Sequence, residues 1–321
     1  MTSGRGAPPR HLALVGPTAS GKSALALELA AQLGDIEIVS VDSMQVYRGM
    51  DVGTAKPGAE DRARVPHHLI DVADPSEDYS VRCFQQAAAE ALADIEAGGR
   101  RALLVGGTGL YLRAVVDGLA LPPQYPSVRQ ALEAEADRVG SPDLHRRLAE
   151  VDPDAAAKML PTNRRRVVRA LEVCVGSGRP FSSFGPGLTV YPPTPIRIVG
   201  LRWPRAALDR RIADRYDQQM GHGFLEEVAA LAARPGGLSR TARQALGYRE
   251  LLAHLAGECT LEAALAEAVR RTRAFARRQE SWFRRDPRIV WMDPTEVAAG
   301  ARSCPSNSLA LLPELLGDWA R

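Results

Sequence analysis

The sequence predicts an α/β fold: a parallel-sheet core, a small helical domain inserted into it, and a helical C-terminal part. Three observations carry this. Over the first third of the chain, short apolar runs alternate with helical patterns, the signature of βαβ units and a parallel sheet. A glycine-rich loop, Gly16-Pro17-Thr18-Ala19-Ser20-Gly21-Lys22-Ser23, lies between the first apolar run and the first helical pattern. From Pro122 onward, proline-divided helical patterns replace the alternation, and an apolar run at Ile196–Leu201 then returns to the strand pattern.

In chain order, His11–Val15 reads as a strand, Ser23–Leu33 as a helix and Ile36–Val41 as a second strand. Val81–Ala97 reads as a helix, Arg101–Val105 as a third strand and Gly109–Asp117 as another helix. Four helical patterns follow at Ser127–Val139, Pro142–Glu150, Asp154–Met159 and Asn163–Val175, then a Gly/Ser/Pro segment, Gly176–Gly187. After Pro204 the pattern is helical up to Arg285, with a last strand at Arg288–Met292 and a small, polar loop at Ala299–Asn307. The expected boundaries are a core of residues 1–121 and 191–321 and an insertion of residues 122–190. A chain of 321 residues accommodates about two domains. The sequence also allows the same helices to pack on the core's edge.

Composition excludes several classes. Apolar residues at 45% and charged residues at 25% are ordinary for a globular chain. No apolar run approaches the roughly 18 residues of a membrane span, and Leu12–Val15 is too short for a signal segment. Cys83, Cys174, Cys259 and Cys304 form no CxxC pair, which argues against zinc and against a disulfide framework. A reducing cytoplasm is the expected location. The net charge is only +3, yet of 41 basic residues only Lys22, Lys56 and Lys158 are lysine. The arginine excess reads either as GC-rich codon usage or as a surface that forks onto phosphates. Composition does not choose between them.

Residues 16–23 match G-x-x-x-x-G-K-[ST] in the strand–loop–helix context the motif requires, so a P-loop NTPase-like core is expected. The glycines let the backbone curl so that successive N–H groups point at anionic oxygens. The following helix adds its N-terminal partial charge. Lys22 supplies a full charge, and Ser23 can hold Mg²⁺. ATP and a pyrophosphate leaving group fit this cradle equally well.

Asp42 follows the second strand directly, in Asp42-Ser43-Met44-Gln45-Val46-Tyr47. Ligands of open α/β sheets sit beyond the carboxyl ends of the strands, so Asp42 is expected in the same crevice. It reads as a general base, as a water-mediated metal holder, or simply as a helix N-cap. Gln45 and Tyr47 suggest base recognition. A second glycine turn, Gly106-Gly107-Thr108-Gly109, follows the third strand, and Thr108 there can donate to an anion.

Arginine is clustered. Along Thr260–Arg285, positions 261, 265, 268, 272, 275, 279 and 282 step by 4 and 3 and predict one buried helix face. Arg270, Arg273, Arg277 and Arg284 flank it on one side, and Arg271, Arg278 and Arg285 on the other. Glu267 and Glu280 are spaced to pair with Arg271 and Arg284. Further clusters are Arg164, Arg165, Arg166 and Arg169, and Arg210, Arg211 and Arg215. Such segregation suggests a polyanionic partner, against the alternative of solvated faces. His67 and His68 are adjacent on a strand pattern and so point to opposite faces. One is expected to be buried and hydrogen-bonded, and a shared metal is not expected.

Together these segments resemble the tRNA dimethylallyltransferases of bacterial type, also called tRNA isopentenyltransferases. The resemblance rests on Gly16–Ser23 (GPTASGKS), Asp42–Tyr47 (DSMQVY), Gly53–Pro57 (GTAKP), Pro66–Asp71 (PHHLID), Gly106–Tyr111 (GGTGLY), Arg169–Val173 (RALEV) and Arg273–Phe283 (RAFARRQESWF). Ser23 stands where the family often has threonine, and either hydroxyl can ligate Mg²⁺. The resemblance implies transfer of a dimethylallyl group from dimethylallyl diphosphate to N6 of adenosine 37, beside the anticodon. The accepting tRNAs would be those reading codons that begin with U. The P-loop would then hold the donor's diphosphate, with Lys22, Mg²⁺ on Ser23, Arg211 and Arg215 neutralising it. Asp42 would act as general base, and Thr108 would hydrogen-bond the breaking C–O oxygen. Asp42, Ser43, Met44, Gln45, Thr108, Arg129, Arg165, Arg166 and Arg169 would meet the anticodon stem-loop. A monomer is expected. The competing readings are an ATP-dependent P-loop kinase of a nucleoside or small metabolite, and a non-catalytic RNA-binding protein with a structural P-loop.

Overall fold

A computed structural model describes residues 10–185, 187–294 and 319. Six strands form one parallel sheet: β1 (His11–Val15), β2 (Ile36–Val41), β3 (His67–His68), β4 (Arg101–Gly106), β5 (Ile196–Leu201) and β6 (Ile289–Met292), in the order β3-β2-β4-β1-β5-β6. Register sets the functional edge. Gly106 is opposite both Val15 and Val41, and Val15 is opposite Gly200. The loops leaving β1, β2 and β4 therefore emerge at one level.

Strand residues alternate between two apolar layers, as the period of two requires. Leu12, Leu14, Ile36, Ile38 and Leu103 pack with Leu25 and Leu29 of α1 (Lys22–Leu33). Ala13, Val15, Val39, Val41 and Leu104 join the other core. That core takes in α3 (Val81–Ala97), α4 (Gly109–Val116), α9 (Arg205–Gly221), α10 (Phe224–Ala233), α11 (Tyr248–Leu255) and α12 (Leu261–Phe283). A short helix, α2 (Ala59–Arg64), has no buried residue, so no apolar periodicity announced it. Among the described residues no helix is long and apolar enough to cross a membrane.

The chain divides into two compact units, Met1–Val116 with Pro193–Arg321, and Asp117–Pro192. The smaller unit holds α5 (Pro126–Val139), α6 (Ser141–Val151), α7 (Pro153–Ala156) and α8 (Arg164–Ser177). Its own core contains Leu132, Leu144, Leu148, Val167 and Leu171. The buried carboxylate of Glu172 accepts the Tyr125 N–H at 2.8 Å and pairs with Arg169 at 2.7 Å and Arg129 at 3.4 Å.

Most sequence boundaries hold within a residue or two, with three corrections. The third short helix covers only Pro153–Ala156, because Asp152 caps it and the chain turns at once. The buried stripe of α12 keeps the expected Ala268, Thr272 and Gln279 but otherwise runs through Ala264, Ala276 and Phe283, where positions 261, 265, 275 and 282 were expected. Leu265, Phe275 and Trp282 are only partly buried, whereas Ala264, Ala268, Ala276 and Phe283 are buried. Arg271 pairs with Glu250 on α11, so Glu267 takes Arg270 instead, at 2.6 Å. The loop expected at Ala299–Asn307 lies outside the described residues.

Candidate active site

The P-loop joins β1 to α1. Gly21 is left-handed, with φ 86°, as the N-cap of α1, a conformation that costs glycine little. Lys22 Nζ donates to the Pro17 carbonyl at 3.2 Å. Burial pushes the Lys22 ammonium down to about 8, helped by Arg215 and opposed by the charge of Asp42. Two arginines one turn apart on α9 brace the loop. Arg211 donates to the Ala19 carbonyl at 2.8 Å and stacks over Trp203, and Arg215 donates to Thr18 Oγ1 at 3.1 Å. Burial holds both guanidinium groups below their ordinary range.

Asp42 leaves the end of β2. Its Oδ1 accepts the N–H groups of Met44 at 2.8 Å and Gln45 at 3.4 Å. It therefore caps a turn, where a helix N-cap was one expectation. Among the described residues Oδ2 has no partner, and Asp42 lines the cavity. Gln45 is largely committed to the fold. It accepts from Ser40 Oγ at 2.8 Å and donates to the carbonyls of Thr54 and Ala55, each at 3.2 Å. Tyr47 is fully buried, and its hydroxyl accepts the Tyr79 N–H at 3.2 Å. It is a core residue, which corrects the base-recognition reading.

The second turn needs its glycines for packing. A Cβ on Gly106 would lie 2.0 Å from the Val41 carbonyl oxygen, and one on Gly109 would lie 2.2 Å from Trp282. On Gly107 it would lie 2.3 Å from Gln279 Nε2. Gln279 bridges the two turns: its Oε1 accepts the Thr18 N–H and its Nε2 donates to the Gly107 carbonyl, both at 2.9 Å. Thr108 Oγ1 accepts the Ser43 N–H at 3.2 Å, so the loops that follow β1, β2 and β4 are tied together.

These groups enclose a cavity of about 290 Å³. Thr18, Ala19, Lys22, Ser23, Asp42, Ser43, Met44, Gln45 and Thr108 line it, as does Arg215. The sequence reading missed Tyr216, Gln219, Tyr248, Phe275 and Gln279 of the helical wall, which also includes Arg271 and Arg278 from the expected arginine stripe. The one legible signal was Gln279, a polar residue at a buried stripe position.

The other basic residues are placed differently. Arg165 and Arg166 are exposed at the start of α8, whereas Arg129 and Arg169 are held on Glu172. Arg202, Arg205, Arg277, Arg284 and Arg285 gather with Trp203 and Trp291 round a groove of about 890 Å³. Both histidines, not one, are partly buried and hydrogen-bonded, His67 to the Val65 carbonyl at 2.7 Å and His68 to Glu37 at 2.6 Å. Among the described residues no three His, Cys, Asp or Glu side chains converge as a metal site.

Comparison with known proteins gives the same picture over most of the chain. The family described as IPP transferase matches residues 45–286, and that described as isopentenyl transferase matches residues 10–67. A tRNA dimethylallyltransferase of Streptomyces coelicolor is 51% identical over 88% of this chain and 90% of its own. The crystal structure of a tRNA isopentenylpyrophosphate transferase from Bacillus halodurans is 41% identical, covers 89% of this chain and 90% of its own, and superposes with a TM-score of 0.64. A eukaryotic dimethylallyltransferase, crystallised acting on tRNA, is 25% identical, covers 96% of this chain and 79% of its own, and reaches a TM-score of 0.76. With its P-loop sheet, its second glycine turn and its sequence alike along nearly the whole length, the chain belongs to the IPP transferase family.

Proposed function

We propose that this chain transfers the dimethylallyl group of dimethylallyl diphosphate to N6 of adenosine 37 in tRNAs reading codons that begin with U, releasing diphosphate. One observation carries the reading: a single cavity is lined by Lys22, Ser23 and Arg215 and also by Asp42 and Thr108. The cationic groups suit a diphosphate, and the carboxylate suits an amine that must lose a proton.

The chemistry then divides among these residues. N6 attacks the donor's first carbon as the carbon–oxygen bond breaks, and the electron pair leaves with the diphosphate. Lys22 and Arg215 face the charge that grows on the departing oxygens, and such prepositioned charge is often the largest catalytic contribution. Thr108 Oγ hydrogen-bonds the bridging oxygen. N6 becomes acidic as its bond to carbon forms, and Asp42 Oδ2 takes the proton, help usually worth about 10²–10⁴-fold. The adenine must leave its stack to reach the cavity.

Mg²⁺ fits the donor set. The Ser23 hydroxyl is exposed at the cavity, and a hard cation held by one protein oxygen plus substrate phosphates is a usual Mg²⁺ arrangement. When bound, it supplies charge to the diphosphate. The exposed Arg165 and Arg166, and the arginine groove of α12, suit the phosphates of the RNA.

The test is one incubation of unmodified tRNA with dimethylallyl diphosphate and Mg²⁺, followed by nucleoside mass spectrometry. The expected result is a mass gain of one dimethylallyl group on adenosine. No gain, together with ATP-dependent phosphorylation of a small molecule, would establish the kinase reading instead.

A further inference from the structure

Glu227, on α10, is absent from the cavity wall, yet its carboxylate gathers four donors. Oε2 accepts the N–H groups of Asp51 at 2.9 Å and Val52 at 2.7 Å. Oε1 accepts the Gly53 N–H at 3.2 Å and the Tyr248 hydroxyl at 2.5 Å. Three successive backbone N–H groups turned onto one anion form a nest, here filled by the protein's own carboxylate. Burial and the charge of Glu227 raise the Tyr248 hydroxyl above its ordinary range, so it stays a donor. Hydrogen bonds to an ionised acceptor are about twice as strong as neutral ones.

The carbonyls of the same loop serve the cavity. Those of Val52 and Gly53 accept from Gln219 Nε2 at 2.7 and 2.9 Å. Gly53 also accepts from Arg215 at 3.4 Å. Those of Thr54 and Ala55 accept from Gln45 Nε2, each at 3.2 Å. The loop has no slack: a Cβ on Gly53 would lie 2.2 Å from Phe224 and 2.5 Å from Tyr248. Fixing the N–H side of the loop thus fixes the carbonyls that aim Arg215 at Thr18 and Gln45 along the wall beside Asp42.

We propose that Glu227 is a positioning residue for the transfer reaction, clamping residues 51–53 so that the carbonyls of residues 52–55 hold Arg215, Gln219 and Gln45 in their reactive orientation. The proposal rests on the transferase reading above. Glu227 touches no substrate; it acts through the loop.

The test compares Glu227→Gln with Glu226→Gln, the same loss of charge at the neighbouring exposed position. The amide retains one acceptor oxygen but turns an NH₂ toward backbone donors. Steady-state dimethylallyl transfer is measured for both variants over a temperature series, with unfolding followed by circular dichroism. The expected result is a kcat lowered about 10–100-fold in Glu227→Gln, the scale of a misplaced reactive group. KM for dimethylallyl diphosphate and for tRNA should change by less than about threefold, the protein should remain folded, and Glu226→Gln should match the parent. A folded Glu227→Gln with unchanged kcat, a change confined to KM, or activity regained on cooling would each overturn the proposal. If the parent protein itself transfers nothing, the transferase reading falls and takes this proposal with it.

Discussion

The Gln279 side chain accepts the Thr18 N–H at 2.9 Å and thereby fixes the phosphate loop to α12. With the Gly107 carbonyl as its second partner, it sets the separation of the two glycine turns. Gln279→Glu keeps the acceptor, loses the donor and places a negative charge beside the diphosphate cradle. The expected outcome is a KM for dimethylallyl diphosphate raised about tenfold or more, each tenfold being about 1.4 kcal/mol. Gln279→Leu leaves the buried Gly107 carbonyl unpaired, at about 1–3 kcal/mol, frees the part-buried Thr18 N–H, and should lower the unfolding midpoint without that charge-specific KM effect. Kinetics and denaturation of both variants check the assignment.

Gly107→Ala and Gly109→Ala test the packing account of the second turn. The added methyl would meet Gln279 at 2.3 Å and Trp282 at 2.2 Å. Overpacking of this kind costs about 1–3 kcal/mol. Gly58→Ala, with nothing within 4 Å of its Cβ, should be close to neutral. Equal midpoints for all three variants would show that α12 yields freely and that packing does not dictate these glycines.

Strands and phosphate loop were legible because their signals are local. β1, β2, β4 and β5 are short, mostly apolar runs, and the spacing of Gly16, Gly21, Lys22 and Ser23 is a backbone requirement. Asp42 and Thr108 could be located because each follows a strand whose end register is shared. The helical wall was not legible. Tyr216, Tyr248 and Phe275 look like any apolar positions, and only the tertiary packing of α9, α11 and α12 turns them toward the cavity. The arginines misled in part for the same reason. Partner choice across elements, such as Arg271 with Glu250, overrides spacing along one helix.

Asp42 carries two duties, and one substitution separates them. Its Oδ1 caps the turn at Met44 and Gln45, so Asp42→Ala would disturb the loop as well as remove a base. Asp42→Asn keeps an acceptor oxygen for those N–H groups. It should lower kcat by about 10²–10⁴-fold, the usual worth of a positioned base, while tRNA affinity and the unfolding midpoint stay near the parent's. Lost tRNA binding with kcat preserved would make Asp42 a recognition residue.

The depressed Lys22 ammonium, titrating at about 8, gives the free enzyme a pH signature with a definite sign. The protonated form binds the diphosphate, and a lysine shifted downward carries its charge below that value and loses it above. Binding of inorganic diphosphate, followed by calorimetry and expressed relative to Lys22→Arg so that the ligand's own deprotonation cancels, should therefore hold steady up to about pH 8 and then weaken by up to about tenfold per pH unit, one proton being taken up by Lys22 on binding. Bound diphosphate pulls the ammonium back up, so KM for dimethylallyl diphosphate rises with pH while kcat changes little. In Lys22→Arg the charge cannot be removed, since guanidinium stays protonated throughout this range. The Lys22-linked weakening should vanish even though the planar fork fits the loop less well and binds more weakly at neutral pH. A parent curve with the same pH dependence as that of Lys22→Arg would show that Lys22 keeps its charge in the pocket and that burial does not govern its titration.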